Sequence, residues 1–182
     1  MHRRIGMEGV LAVFLCCGAY GCRAGGTTAE VGAGGLRRPP ELDLLDAFVG
    51  RWEVTGEVTT PGAGVSRTFT GENEAHWEGG GWYLVSRGVS RMAENGETEG
   101  LAVWRYDTDR RTFRGTNLNS NGEVGEGSAR YDDDTDTWVF RMTSRGPTGK
   151  SRWRGTVRFV EVDTKEEHWV GHAMGGLRTI AE

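Results

Sequence analysis

The sequence has no cysteine after Cys22, only four prolines and no excess of basic residues. Its three cysteines, Cys16, Cys17 and Cys22, all lie near the N-terminus, so whatever folds downstream does so without a disulfide. Lys and Arg number 22 against 26 Asp and Glu, a net charge of −4 that argues against a partner made of nucleic acid. The longest apolar run, VLAVFLCCGAYG from Val10, is shorter than the ~20 residues that span a bilayer. Against the scarcity of proline stand 30 glycines, which point to many tight turns rather than long helices. At 182 residues the chain suits one folded domain.

What is present at the N-terminus reads as an export signal. His2, Arg3 and Arg4 precede the short apolar run, and small residues follow it. AYGC places Cys22 where a bacterial lipoprotein carries its lipidated cysteine, with residues 1–21 removed; the alternative is simple cleavage near Ala24. Lipidation at Cys22 would tether the chain to a membrane surface. Residues 22–40 are rich in Gly, Ala, Thr and Arg with no apolar period, as expected of a flexible linker, and leave 41–182 as the folded domain.

PELDLLDAFVG, from Pro40, sets Leu42, Leu45, Phe48 and Val49 on one helical face, with Gly50 as the stop. From Trp52 the period changes to two. Strands are expected near 51–60, 65–78, 81–92, 98–106, 112–119, 123–131, 137–144, 151–163 and 167–174. Asn-Gly pairs at Asn95 and Asn121 signal hairpins. RYDTDRRTF, RYDDDTDTW and VEVDTKEEHW each end a strand on acid, turn through polar residues and restart. The pattern predicts an all-β, antiparallel up-and-down barrel with one short N-terminal helix, since an open meander of nine strands would leave bare edges.

Seven tryptophans are spread almost one per strand, and Trp52 is expected to face inward and plug one end of the barrel. FVGRWEV resembles the Gly-x-Trp opening of the calycin group, which includes lipocalins and fatty-acid-binding proteins. With GGWYLVSRG, GLAVWRYD and ARYDDDTDTW in the same order, the chain is similar to an exported bacterial family of unknown function with a lipocalin-like barrel. That resemblance implies a fold and no catalytic residues. In lipocalin-like barrels a late arginine packs over this tryptophan, which would give Arg178 a structural cation–π role above Trp52.

The candidate ligand-binding residues are the inward positions Trp77, Trp82, Trp104, Phe113, Asn117, Trp138, Phe140 and Trp153. They suit a small hydrophobic or amphipathic molecule in the barrel; a barrel packed solid by its tryptophans is the competing expectation. Asp132, Asp134 and Asp136 have the alternate spacing of a calcium loop. Thr137 and Thr143 replace the glycine and the terminal acid, so a hairpin turn is expected. His168 and His172 share a strand face at ~13 Å and cannot hold one metal ion together. Either alone is a haem-ligand candidate by resemblance to nitrobindin-like barrels, whose first-strand motif is here replaced by EVTGEVTT. His76 shares a face with Glu72, Glu74 and Glu78 and is expected outside. Arg152, Arg154 and Arg158 form an outward row that pairs with acids or faces anions. No serine sits in a nucleophile elbow, no cysteine remains to act with a histidine, and no metal or cofactor is implied.

Overall fold

The computed structural model describes residues 37–60, 65–93, 96–147, 149–173 and 178–181. The leader over 1–21, the Cys22 lipidation site, the linker up to residue 36 and Asn95 lie outside the described residues. A helix over Pro40–Phe48 precedes ten strands: β1 Gly50–Thr60, β2 Val65–Glu78, β3 Tyr83–Met92, β4 Gly96–Asp107, β5 Thr112–Asn119, β6 Val124–Asp132, β7 Thr137–Gly146, β8 Gly149–Glu161, β9 Thr164–Ala173 and β10 Arg178–Ala181. Each strand pairs antiparallel with the next, and β10 pairs with β1 to close the barrel. This is the up-and-down barrel the period-two pattern predicts, with one strand more than the nine expected.

The helix is 3-10 along its whole length of nine residues. Leu42, Leu45 and Phe48 recur every third residue, and all three are buried against the barrel. A three-residue turn stacks such positions directly above one another, so this spacing gives a single apolar ridge. Val49, which an α-helix would place near that ridge, is exposed instead. Gly50 leaves the helix at φ +133°, a conformation that side chains resist.

Register and burial together divide the strands into an inner and an outer face. One inward row runs Trp77, Leu84, Trp104, Gly115, Gly127, Met142, Trp153, Gly171 across β2–β9. A second runs Tyr106, Phe113, Ala129, Phe140, Gly155, Trp169. Large residues therefore alternate with glycines on neighbouring strands. Trp104 faces Gly115, Trp153 faces Gly171 and Trp169 faces Gly155, each as direct register partners. A Cβ at any of these glycines would collide with the indole lying over it. The missing side chain lets the ring lie flat on the barrel wall.

The core gathers around Trp138, Phe140, Val157 and Leu42, the largest side chains with the least exposure. Phe48 reaches from the helix to Trp138 at 5.3 Å and Phe159 at 5.1 Å between ring centroids, so the helix closes that end of the barrel. Trp77 fixes the helix further: its indole N–H donates to Asp46 at 2.7 Å, and the Arg38 guanidinium lies 4.5 Å over its ring.

The glycine–indole pairs generate a prediction. Gly115→Ala and Gly155→Ala should each cost about 1–3 kcal/mol by overpacking. Gly125→Ala, whose Cβ would meet nothing nearer than 3.5 Å, should be close to neutral. Urea unfolding monitored by tryptophan fluorescence checks both, and equal effects at the three positions would refute the packing account.

Candidate functional site: a polar mouth above a buried ion pair

At the closed end the barrel buries two charges. Lys165 and Glu167 both face inward on β9, with side chains only 2% and 3% exposed. The ammonium nitrogen stands 3.1 Å from Glu167 Oε1. It also lies 4.8 Å from the ring centroid of Trp52 and 5.2 Å from that of Phe48. Trp52 in turn donates its indole N–H to the Phe48 carbonyl at 2.9 Å. One cation over Trp52 is thus Lys165; the Arg178 side chain, expected there, lies outside the described residues. A lysine two residues into β9 reaches the indole because β9 begins three residues earlier than the sequence pattern suggested.

Burial pushes the Glu167 carboxyl above the usual carboxylate range, and the Lys165 charge and the Trp169 indole N–H oppose that shift. Trp169 Nε1 donates to Glu167 Oε2 at 2.9 Å. Oε1 has no well-aligned hydrogen bond, its partner being the ammonium itself. A desolvated pair of this kind tolerates joint replacement far better than the loss of one partner. Beside the pair, a void of about 20 Å³ remains between Phe48, Trp104, Phe140, Asn73 and Ser86. It is large enough for one water molecule.

The other end is built differently. A further inward row runs Ala75, Ser86, Ala102, Asn117, Gly125, Ser144, Ser151 across β2–β8, without one large side chain. Next to it run Asn73, Gly88, Gly100 and Asn119. Gly88, Gly100, Asn117 and Asn119 face inward yet are half-exposed, so solvent reaches the inner wall here. Ser86 donates to Asn73 Oδ1 at 2.8 Å, the Ser144 and Ser151 hydroxyls are 2.6 Å apart, and Trp153 Nε1 donates to Ser151 at 2.9 Å. Glu123 joins this group: burial raises its carboxyl pKa, against hydrogen bonds from Ser144, Asn119 and Ser151. The Asn117 Oδ1 atom is buried with no hydrogen-bond partner among the described residues. An orphan acceptor is costly, and a donor brought by a ligand would relieve that cost.

Among the eight candidate lining residues, Trp104, Phe113, Trp138, Phe140 and Trp153 are buried in one packed cluster. Trp77 is tied to the helix, and Trp82 lies in the β2–β3 turn, packed against the same cluster. Asn117 stands apart from them in the mouth. His168 and His172 point outward and are exposed, on the face opposite Lys165, Glu167 and Trp169. His76 is outside too, 3.1 Å from Glu78. Asp132 accepts a hydrogen bond from the Asp134 amide at 3.2 Å, and Tyr131 donates to Asp136. These aspartates serve the β6–β7 turn. Sequence reasoning missed Asn73, Ser86, Asn119, Glu123, Ser144 and Ser151, which become one site only once register is known.

The ion pair predicts a non-additive pattern. Lys165→Met alone should destabilise the fold by about 3–5 kcal/mol, because Glu167 is left as an unpaired buried charge. Lys165→Met combined with Glu167→Gln, which keeps an acceptor for Trp169, should recover most of that loss. A double-mutant cycle by chemical denaturation measures it; additive losses would show that the pair is not coupled.

Comparison with known proteins agrees with this architecture. Among solved structures, the S-type phycobiliprotein lyase CPES from Guillardia theta superposes with a TM-score of 0.56 at 13% identity, covering 79% of this chain and 90% of its own. Rv2717c from M. tuberculosis gives a TM-score of 0.56 at 14% identity, covering 80% and 98%. At such identities the likeness is one of fold. Among curated proteins none matches. A family model described as "Protein of unknown function (DUF1579)" matches residues 39–170, from just before the 3-10 helix into β9. The chain therefore belongs to the DUF1579 family, whose function is unknown.

Proposed function

We propose that this protein is an exported, membrane-tethered binding barrel that holds a small amphipathic molecule in its open mouth. The observation that carries the reading is the segregated interior. A packed aromatic floor lies below a wall of small residues in which Ala75, Ser86, Ala102 and Ser144 are buried, Gly88, Gly100, Asn117 and Asn119 are half-exposed, and one amide oxygen is unpartnered among the described residues. Sites for small molecules commonly combine apolar surface with a few fixed polar groups. Here the polar end of a ligand would donate to Asn117 Oδ1 and Glu123, and its apolar end would rest on Trp153 and Met142. Export and tethering rest on the charged start, the apolar run from Val10 and Cys22.

The small void beside Lys165 favours a second reading, an envelope protein whose barrel is filled and takes no ligand. A haem-binding barrel has less support, since His76, His168 and His172 all face outward.

Native mass spectrometry of the full chain, released from membranes in mild detergent, separates these readings. A co-purifying mass that disappears in Asn117→Leu supports the mouth as the site. An unliganded mass that stays unliganded after exposure to cell extract supports the filled barrel. In the same preparation, Cys22→Ser should abolish incorporation of labelled palmitate; labelling that persists would remove the anchor at that residue.

A further inference from the structure

The outer wall of the barrel is divided by charge. Over β1–β4 the outward rows carry Glu53, Glu72, Glu74, Glu97 and Glu99, and two of the arginines among them, Arg51 and Arg91, are paired. Arg51 meets Glu74 at 3.3 Å, and Arg91 meets Glu97 at 2.8 Å and Glu72 at 3.5 Å. Over β5–β9 the balance reverses. Arg114, Arg141, Arg152 and Arg154 line a depression of about 740 Å³, with Glu126, Thr143, Val170 and His172 among the other residues along it. Arg130 and Arg158 extend the basic area, and Glu126, Asp132, Glu161 and Glu166 are the acidic residues among these outward strand positions.

This arrangement is unusual in its register. Arg141 and Arg154 are direct cross-strand partners, and Arg114 lies two strands away on the same row through Ser128. Like charges placed directly opposite repel and lower sheet stability. Acids on β1–β4 neutralise Arg51 and Arg91, whereas Arg114, Arg141, Arg152 and Arg154 make no ion pair among the described residues. The chain as a whole is acidic, at −4, so the basic groove runs against its overall charge. Arginine's planar fork suits the oxygens of phosphate, and several forks around one depression suit a multiply charged group. The row from Arg114 to Arg154 crosses three strand spacings, ~14 Å, enough for more than one phosphate.

The geometry points to an anion site on the outside of the barrel: the β5–β9 groove binds a phosphate-bearing ligand between Arg141 and Arg154, with Arg114 and Arg152 at its flanks. The phosphate comes from a phospholipid headgroup or from a soluble phosphorylated compound. Its four arginines lie on the outward face of the strands, whereas the mouth lies on the inward face.

Two probes distinguish the sources. The full chain is sedimented with vesicles of phosphatidylcholine, with and without phosphatidylglycerol, and titrated in solution with pyrophosphate by calorimetry. Neutral vesicles read any contribution of the N-terminal segment. Binding that needs the anionic lipid and is not displaced by pyrophosphate assigns a headgroup; pyrophosphate binding in solution assigns a soluble ligand. In either case Arg141→Gln with Arg154→Gln should weaken binding roughly thirtyfold, each arginine near an anionic group contributing a factor of about five. The double variant should also melt at the same temperature as the parent or higher, because it relieves the repulsion, and this excludes misfolding as the cause. If neither probe binds, or the double variant binds as well as the parent, the proposal is overturned.

Discussion

A lysine ammonium buried under two aromatic rings organises the closed end of this barrel. Lys165 on β9 touches Trp52 of β1 and Phe48 of the 3-10 helix, so three segments distant in sequence meet at one charge. Taking that charge out of water is expensive, and Glu167 and the two ring faces offset the cost together. The Gly-x-Trp motif gains its meaning here. Gly50 turns the chain out of the helix, and Trp52 then folds back to cap the Phe48 carbonyl and cover the ammonium. Lys165 is one of only two lysines in the chain, the other being Lys150. A compact head on a slim stem reaches under an indole where a planar guanidinium would need more room.

The same economy of space governs the wall. Indoles laid flat over glycines fill the lower barrel without crowding its axis, and the fixed stagger of register spreads these pairs diagonally across β4–β9. Above them the inward row from Ala75 to Ser151 holds nothing larger than Asn. The interior is therefore graded from aromatic to polar along the barrel.

Much of this was legible in the sequence. Alternation around Trp104, Trp138 and Trp153 gave their inward facing, and Asn121-Gly122 marked a turn in which Gly122 has φ +83°. Acidic turns such as Asp107, which accepts the Arg110 amide at 3.0 Å, were readable from composition alone. The ion pair was hidden because VDTKEEHW reads as a polar turn; four charges in the five residues from Asp163 to Glu167 conceal that Lys165, Glu167 and Trp169 alternate inward. The polar mouth was hidden for another reason. Its members are small residues scattered over seven strands, and small residues carry no periodic signal until pairing aligns them. The 3-10 character of the helix lay in the spacing of Leu42, Leu45 and Phe48, which a 3.6-residue period also accommodates over so short a run.

The barrel is closed unevenly. Among the described residues β10 meets β1 only at Val58–Ala181 and Thr59–Ile180, whereas β1 and β2 are paired from Gly50 to Thr60. Along the lower part of β1 the sealing is done by side chains, with Trp52 packed on Phe159 at 6.1 Å and on Lys165. A seam of rings and one ammonium lacks the directional constraint of a hydrogen-bonded ladder. The backbone amides of β1 that face this seam should exchange with solvent at a lower opening free energy than those facing β2. The cylinder is in this sense a sheet rolled up and buttoned at one corner, with its natural line of breathing beside Gly50 and Trp52.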